Sequence, residues 1–287
     1  MKNKLVSNIL NKQYKLETKK IIRIALDEDV KKSDLTGDIL IPVNSKSEAV
    51  IIAKESGILC GIDIVKEVFK SVDKNIKFKQ YKHDGDYISE KDTICRINGR
   101  TRSILKAERT ALNFLQHLSG IASYTNKLVE LTKKYKVKIL DTRKTLPGLR
   151  MLQKYAVYVG GGGNHRFNLS DEILVKENHI KANGGIKNTL KILKQKYRKN
   201  FEVEVETMEE FYQAVENNVP FILLDNFSIK DLRKAVKINK GRAKLEASGG
   251  ITIKNIKKVA STGVDFISIG ATTHSIKAMD FSLQIIE

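Results

Sequence analysis

The sequence predicts an incomplete, TIM-like α/β barrel carried behind a smaller N-terminal α+β domain. Three observations predict it. From Lys138 onward apolar strands alternate with helical segments, a pattern that calls for parallel strands joined by crossover helices. The last four of those strands start about 20 residues apart, close to a minimal βα unit. The first 112 residues have a different texture, with short β-like runs between turns, and 287 residues at 41% hydrophobic suffice for more than one core. A doubly wound parallel sheet is the structural alternative.

The N-terminal region opens on a helix-like stretch, Thr18 to Glu28. Strand-like runs follow at Ala49–Ala53, Ile76–Phe78 and Thr93–Ile97, with His83-Asp84-Gly85-Asp86 as a turn between them. Ser103 to Tyr135 is helical, with Leu105, Leu112, Leu115 and Leu118 on one face; Gly120 is read as a break between two helices. Six barrel strands are expected over 137–140, 172–176, 201–206, 221–225, 243–248 and 265–270. Helices are expected over 208–217, 229–236 and 253–261, capped by Thr207, Ser228 and Thr252. A further helix starts near Pro147. The domain boundaries expected are 1–112 for the α+β unit, joined by a C-terminal segment 276–287, and 113–275 for the barrel.

Composition excludes several classes. Apolar residues are spread through the chain, which argues against disorder. No apolar run approaches the ~18 residues of a membrane span. Cys60 and Cys95 are the only cysteines, form no CxxC, and are read as two buried thiols. The start, Met1 to Leu5, is basic but leads into no signal-like apolar stretch, so a cytoplasmic protein is expected. The net charge of +19 invites a nucleic-acid reading. Its lysines are scattered, however (Lys31-Lys32, Lys133-Lys134, Lys191, Lys194, Lys196, Lys257-Lys258), with no arginine stripe and no interleaved aromatics. Neither nucleic acid nor membrane is expected as a partner, though a basic field steers anionic small molecules.

Alternation along the barrel strands sends Glu202, Glu204 and Glu206 toward the lumen or its mouth, with Lys244, Glu246 and Ser248 doing the same on a later strand. Lys176, Glu204, Asp225 and Ser248 thus stand at C-terminal strand ends, the functional face of such barrels. Charges buried there must pair or bind charged ligands. Ser248-Gly249-Gly250 and Ser268-Ile269-Gly270 close the late strands, where barrels bind phosphate on backbone N–H groups. The loop Asp141 to Arg150 carries Thr142, Arg143 and Lys144, and Gly160 to Gly163 lead into Asn164-His165-Arg166. The four glycines suit a loop that flexes or lets backbone approach a ligand. Arg143, Lys144, His165, Arg166 and Lys176 then form a cationic set at one mouth, with forks for carboxylate and point charges for phosphate. Lys176 alone at a strand end also fits a Schiff-base aldolase.

The stretches Asp141 to Arg150, Lys154 to Val157, Gly160 to Arg166 and Leu174 to His179 resemble the quinolinate phosphoribosyltransferase family. Ala107 to Asn113, Leu223 to Asn226 and Glu246 to Gly250 are similar to it as well, so the resemblance runs over essentially the whole chain. It implies an N-terminal open-faced sandwich with the C-terminal segment packed back on it, and an incomplete α/β barrel. It implies transfer from phosphoribosyl pyrophosphate to quinolinate with loss of CO2, a requirement for Mg²⁺, and nicotinate mononucleotide as product on the route to NAD. It also implies a homodimer, or a hexamer of dimers, with Arg109 crossing the interface. By resemblance, Arg109, Arg143, His165, Arg166 and Lys176 bind quinolinate, and Thr142 is a further substrate-binding position. Lys144, Glu204 and Asp225 are catalytic, phosphoribosyl-linked positions, the two acids reaching metal through water or substrate. Ser248, Gly249, Gly250, Ser268, Ile269 and Gly270 hold the 5′-phosphate. A related barrel protein associated with molybdenum transport is the remaining family alternative.

Overall fold

The computed structural model describes residues 12–197 and 199–286, so the basic start at Met1 to Leu5 lies outside the described residues. The N-terminal region supplies α1 (Lys12–Val30), α2 (Leu35–Leu40), β1 (Lys46–Ala53), β2 (Gly57–Ile58), α3 (Ile62–Val72), β3 (Lys77–Gln80), β4 (Tyr87–Ile88) and β5 (Thr93–Arg100). A 32-residue helix, α4 (Thr101–Thr132), leads from it into the barrel. The barrel comprises β6 (Lys138–Leu140), α5 (Arg150–Val159), β7 (Leu174–Val175), α6 (Glu177–Ala182), α7 (Ile186–Lys196), β8 (Glu202–Val205), α8 (Met208–Glu216), β9 (Phe221–Asp225), α9 (Ile229–Asn239), β10 (Lys244–Ser248), α10 (Ile256–Ala260), β11 (Phe266–Ser268) and α11 (Ala271–His274). The chain ends on β12 (Phe281–Ile286).

β12, β1, β5 and β3 make an antiparallel sheet in that order. Ala49, Ile51 and Ala53 on β1 alternate into a core with Ile64, Val65, Val68 and Phe69 of α3 and Leu112, Leu115 and Leu118 of α4. The C-terminal segment therefore returns to the N-terminal sheet, 48↔286 through 53↔281 in register.

The second sheet has six parallel strands in the order β6-β11-β10-β9-β8-β7. Neighbours are consecutive in sequence except at β6–β11, where the curve joins first strand to last. A doubly wound sheet reverses its order at a switch point, and this one does not. On the far side of β6, Gly163 forms a parallel bridge with Leu140, so the barrel is open between that segment and β7. Val203, Val205, Ile222, Leu224, Leu245 and Ala247 pack beneath the helices in a second core.

Thr207 and Ser228 cap α8 and α9 as expected, accepting from the N–H groups of Glu210 and Asp231. Three readings need correction. Thr252 closes a turn instead, and α10 starts three residues after the expected 253, behind Asn255. The helix read from Pro147 starts at Arg150, behind a turn. Gly120 breaks nothing: α4 runs straight through it. A Cβ there would lie 2.4 Å from the carbonyl oxygen of Lys277 and 3.2 Å from the Cα of Ala278. Gly120 is thus the notch that seats the returning C-terminal segment, which Met279 fastens by donating its N–H to Gln116. Gly120→Ala is expected to cost about 1–3 kcal/mol by overpacking, read as a lowered urea midpoint. A wild-type midpoint would show that the segment yields.

Candidate active site

The cationic mouth is built on one buried ion pair. Asp141 follows β6 directly, and Lys154 sits on α5 among Leu152, Ala156 and Val157. Both are fully buried. Lys154 Nζ donates to Asp141 Oδ1 at 2.5 Å and to the His165 carbonyl at 2.8 Å. Asp141 also accepts from the His165 N–H and from Asn164 Nδ2. Burial pushes Asp141 up and Lys154 down, and each partner's charge opposes the shift of the other. The His165–Arg166 backbone is therefore tied to the barrel floor. The glycines before it lie close against protein. A Cβ on Gly160 would meet the Ala122 carbonyl at 2.4 Å, and Gly162 packs on Thr125 and Val157, so these glycines let the chain pass close against α4.

Two guanidiniums converge above this floor. Arg166 is buried, and its Nη1 donates to the Glu172 carbonyl at 3.0 Å. Arg143 is half-buried. The Nε atoms of both are shielded from solvent and have no hydrogen-bond partner among the described residues. Burial, and next the neighbouring charge of Arg143, lowers the pKa of Arg166; Glu202, Glu172 and Asp171 partly compensate. Like charges so placed, with donors left over, make a receptor for an anion.

The loop carrying Thr142, Arg143 and Lys144 is held from three sides. Thr142 Oγ1 accepts from the Lys144 N–H, and the Lys144 carbonyl accepts from Thr273 Oγ1 at 2.7 Å. Gln153, fully buried, accepts from the Leu146 N–H and donates to the Thr273 carbonyl, and it meets His117 Nε2 at 2.8 Å. The Lys144 side chain passes Gly270: a Cβ there would come within 3.1 Å of its Cδ and 2.9 Å of His274 Nε2.

Burial keeps the His117 imidazole below its ordinary pKa. The unfolded chain therefore takes up a proton that the folded one refuses, and stability present above about pH 6.5 is lost as pH falls below it. His117→Gln is expected to remove up to about 1.4 kcal/mol per pH unit of that slope. Urea titrations on either side of the window test this; identical slopes would mean that His117 protonates without cost.

Across the mouth, Lys176 Nζ lies 2.5 Å from Glu204 Oε2. Asp225, at the end of β9, accepts from Asn226 Nδ2. Slight desolvation, and next the carboxylates of Glu177, Asp225, Glu210 and Glu204, raise the pKa of Glu206, and acids crowd this side of the mouth. Ser248 ends β10, and Gly249 and Gly250 follow it, both at positive φ. A Cβ on Gly249 would strike Asn226 Oδ1 at 2.1 Å. Ser268 and Ile269 are buried at the end of β11, and Gly270 begins the turn into α11.

Within the barrel set Lys176 meets Glu204, the charge of Arg143 bears on Arg166, and Lys144 passes Gly270. Arg109 is exposed on α4 and forms no hydrogen bond or ion pair with that set among the described residues. Lys244, expected inward, is exposed at the N-terminal strand end and pairs with Asp265. Lys154, Asp141, Asn164, Gln153 and Thr273 were assigned no role from the sequence. The available signal was Gln153 and Lys154, three residues before Ala156 and Val157, standing polar on a buried helix face.

An incomplete parallel barrel whose C-terminal strand ends hold arginines with unused donors, acids and glycine turns suits an enzyme acting on anionic, phosphate-bearing substrates. Comparison with known proteins narrows the class. The family descriptions "Quinolinate phosphoribosyl transferase, N-terminal domain" and "Quinolinate phosphoribosyl transferase, C-terminal domain" match residues 34–119 and 121–284. The chain belongs to this phosphoribosyltransferase family. It is 41% identical to a probable nicotinate-nucleotide pyrophosphorylase (carboxylating) of Bacillus subtilis, over 94% of each chain. It is 43% identical to one of Methanocaldococcus jannaschii, over 93% of this chain and 96% of that one. The solved nicotinate-nucleotide pyrophosphorylase of Francisella tularensis superposes with a TM-score of 0.90 at 45% identity, covering 94% and 96%. Among the described residues no helix is long and apolar enough to cross a membrane.

Proposed function

We propose that this enzyme transfers the phosphoribosyl group of phosphoribosyl pyrophosphate to the ring nitrogen of quinolinate. Pyrophosphate leaves, the 2-carboxylate departs as CO2, a proton takes its place on the ring, and nicotinate mononucleotide is formed for NAD synthesis. The observation that carries the reading is the Arg143–Arg166 pair: two neighbouring guanidiniums with shielded, unused donors suit two adjacent ring carboxylates. His165 stands beside them, and Lys176 reaches the same mouth. Gly249, Gly250 and Gly270 offer backbone N–H groups to the 5′-phosphate, with Ser248 and Ser268 beside them, while the Ile269 N–H donates to the Leu140 carbonyl. In this reading Lys144 neutralises the leaving pyrophosphate, and Glu204 and Asp225 hold ribose hydroxyls and favour the cationic anomeric carbon.

The excess acid around Glu204, Glu206 and Asp225 fits Mg²⁺, which takes oxygen donors and keeps much of its water. Glu204 and Asp225 would hold it through water or substrate, and bound magnesium neutralises phosphate charge. A Schiff-base reading of Lys176 is disfavoured by its ion pair with Glu204, which already engages the amine.

We place the working unit as a homodimer, or a hexamer of dimers, with Arg109 reaching the neighbouring site. Exposed Leu35, Ile39, Leu40 and Val43 supply an apolar patch for such an interface. Arg109→Ala mixed with Asp225→Ala is then expected to recover partial activity in hybrids; verified hybrids without activity would refute the crossing. Cys60 and Cys95, free and buried, suit a reducing cytoplasm.

The test is to incubate the protein with quinolinate, phosphoribosyl pyrophosphate and Mg²⁺. Nicotinate mononucleotide and CO2 are expected one for one, with loss of both in chelator. Folded protein that forms neither would overturn the reading.

A further inference from the structure

His165 is held at all four of its polar positions. Its N–H donates to Asp141 Oδ1, and its carbonyl accepts from Lys154. Its ring Nδ1 accepts from the Arg166 N–H at 2.8 Å. Its Nε2 lies 3.1 Å from Glu202 Oε2 and 3.5 Å from Glu246 Oε1. Those two acids come from β8 and β10, alternate strands of the barrel, and both are buried, Glu246 at 1% exposure.

We propose that Glu202 and Glu246 are positioning residues for quinolinate. Together they receive the Nε2–H of neutral His165 and so fix the His165–Arg166 unit that grips the dicarboxylate. The part concerning quinolinate rests on the function proposed above.

An imidazole that accepts at Nδ1 keeps its own proton on Nε2. Nε2–H then points at Glu202. The imidazolium form would set an Nδ1–H against the Arg166 N–H at hydrogen-bond distance. One ligand atom of each of the three side chains lies within 4.8 Å of the others, a spacing a metal ion also accepts. A metal on Nε2, however, needs the lone pair that this tautomer uses for its proton. Of the other charges here, Asp141 and Lys154 neutralise each other, and Arg166 faces Glu202.

Long-range ¹⁵N–¹H correlation on the wild-type protein reads the tautomer without substrate, with His165 assigned by its loss in His165→Gln. A neutral Nε2–H ring at neutral pH is expected. An Nδ1–H ring, an imidazolium, or a stoichiometric metal that survives dialysis against chelator would overturn the proposal. Kinetics give the second readout. Glu202→Leu removes the acceptor, and the KM for quinolinate is expected to rise roughly tenfold or more, while that for phosphoribosyl pyrophosphate stays within about twofold. Glu202→Gln keeps an acceptor oxygen and is expected to restore most of the loss. Equal changes in both KM values, or none, would contradict positioning. Wild-type protein inactive on quinolinate, yet with the Nε2–H ring, would fault the substrate and leave the tautomer assignment standing.

Discussion

Arg143→Ala is expected to lower kcat/KM for quinolinate by about 3–4 kcal/mol, several hundredfold, because a bidentate, charge-assisted pair is lost in a shielded site. The Arg143 Nε is closed off from solvent with no protein partner, and its charge bears directly on Arg166. Removing it should therefore relieve repulsion in the free enzyme and leave folding stability unharmed. Arg143→Lys keeps the charge without the fork and should fall between alanine and wild type. The KM for phosphoribosyl pyrophosphate should move much less than that for quinolinate. Steady-state kinetics with each substrate varied in turn check this. Near-normal kinetics for Arg143→Ala would remove it from the carboxylate site.

Lys154→Met is expected to be the most damaging single change to stability. It strands a fully buried carboxylate, and breaking such pairs costs about 3–5 kcal/mol. Asp141 would keep Asn164 and the His165 N–H but lose its counter-charge, while the His165 carbonyl would lose its donor. Stability and substrate binding should fall together. The double variant Asp141→Asn/Lys154→Met leaves no buried charge and should be more stable than Lys154→Met alone. Urea unfolding of the singles and the double gives the coupling energy. A Lys154→Met loss under about 1 kcal/mol would mean that the site relaxes or hydrates, contrary to the packing around it.

The barrel was legible because its strands are bounded by local chemistry. Phe221 to Asp225 is one apolar run closed by an acid, and Thr207 and Ser228 mark helix starts by a hydrogen bond to a residue three positions on. Lys176 and Glu204 were readable as strand-end charges, and they meet. What was not legible depends on distant chain. Gly120 looks like a helix breaker until Lys277 is laid against it. Gly160 to Gly163 look like a ligand loop, yet Gly160 and Gly162 serve packing on α4, and Gly163 bridges to Leu140. Glu202 and Glu246 lie 44 positions apart in the chain and meet only because parallel strands bring them to one imidazole. Lys154 is isolated in sequence from the carboxylate that neutralises it, and no short-range pattern marks a buried ion pair.

The central claim is a pocket built for two carboxylates, and the most direct measurement compares substrates that differ by one. Quinolinate and nicotinate should be assayed side by side with phosphoribosyl pyrophosphate and Mg²⁺. An unmet guanidinium in a shielded site costs a few kcal/mol, so kcat/KM for quinolinate is expected to exceed that for nicotinate by about a hundredfold or more. A ratio near one, or a preference for nicotinate, would contradict the two-carboxylate pocket while leaving phosphoribosyl transfer itself in place.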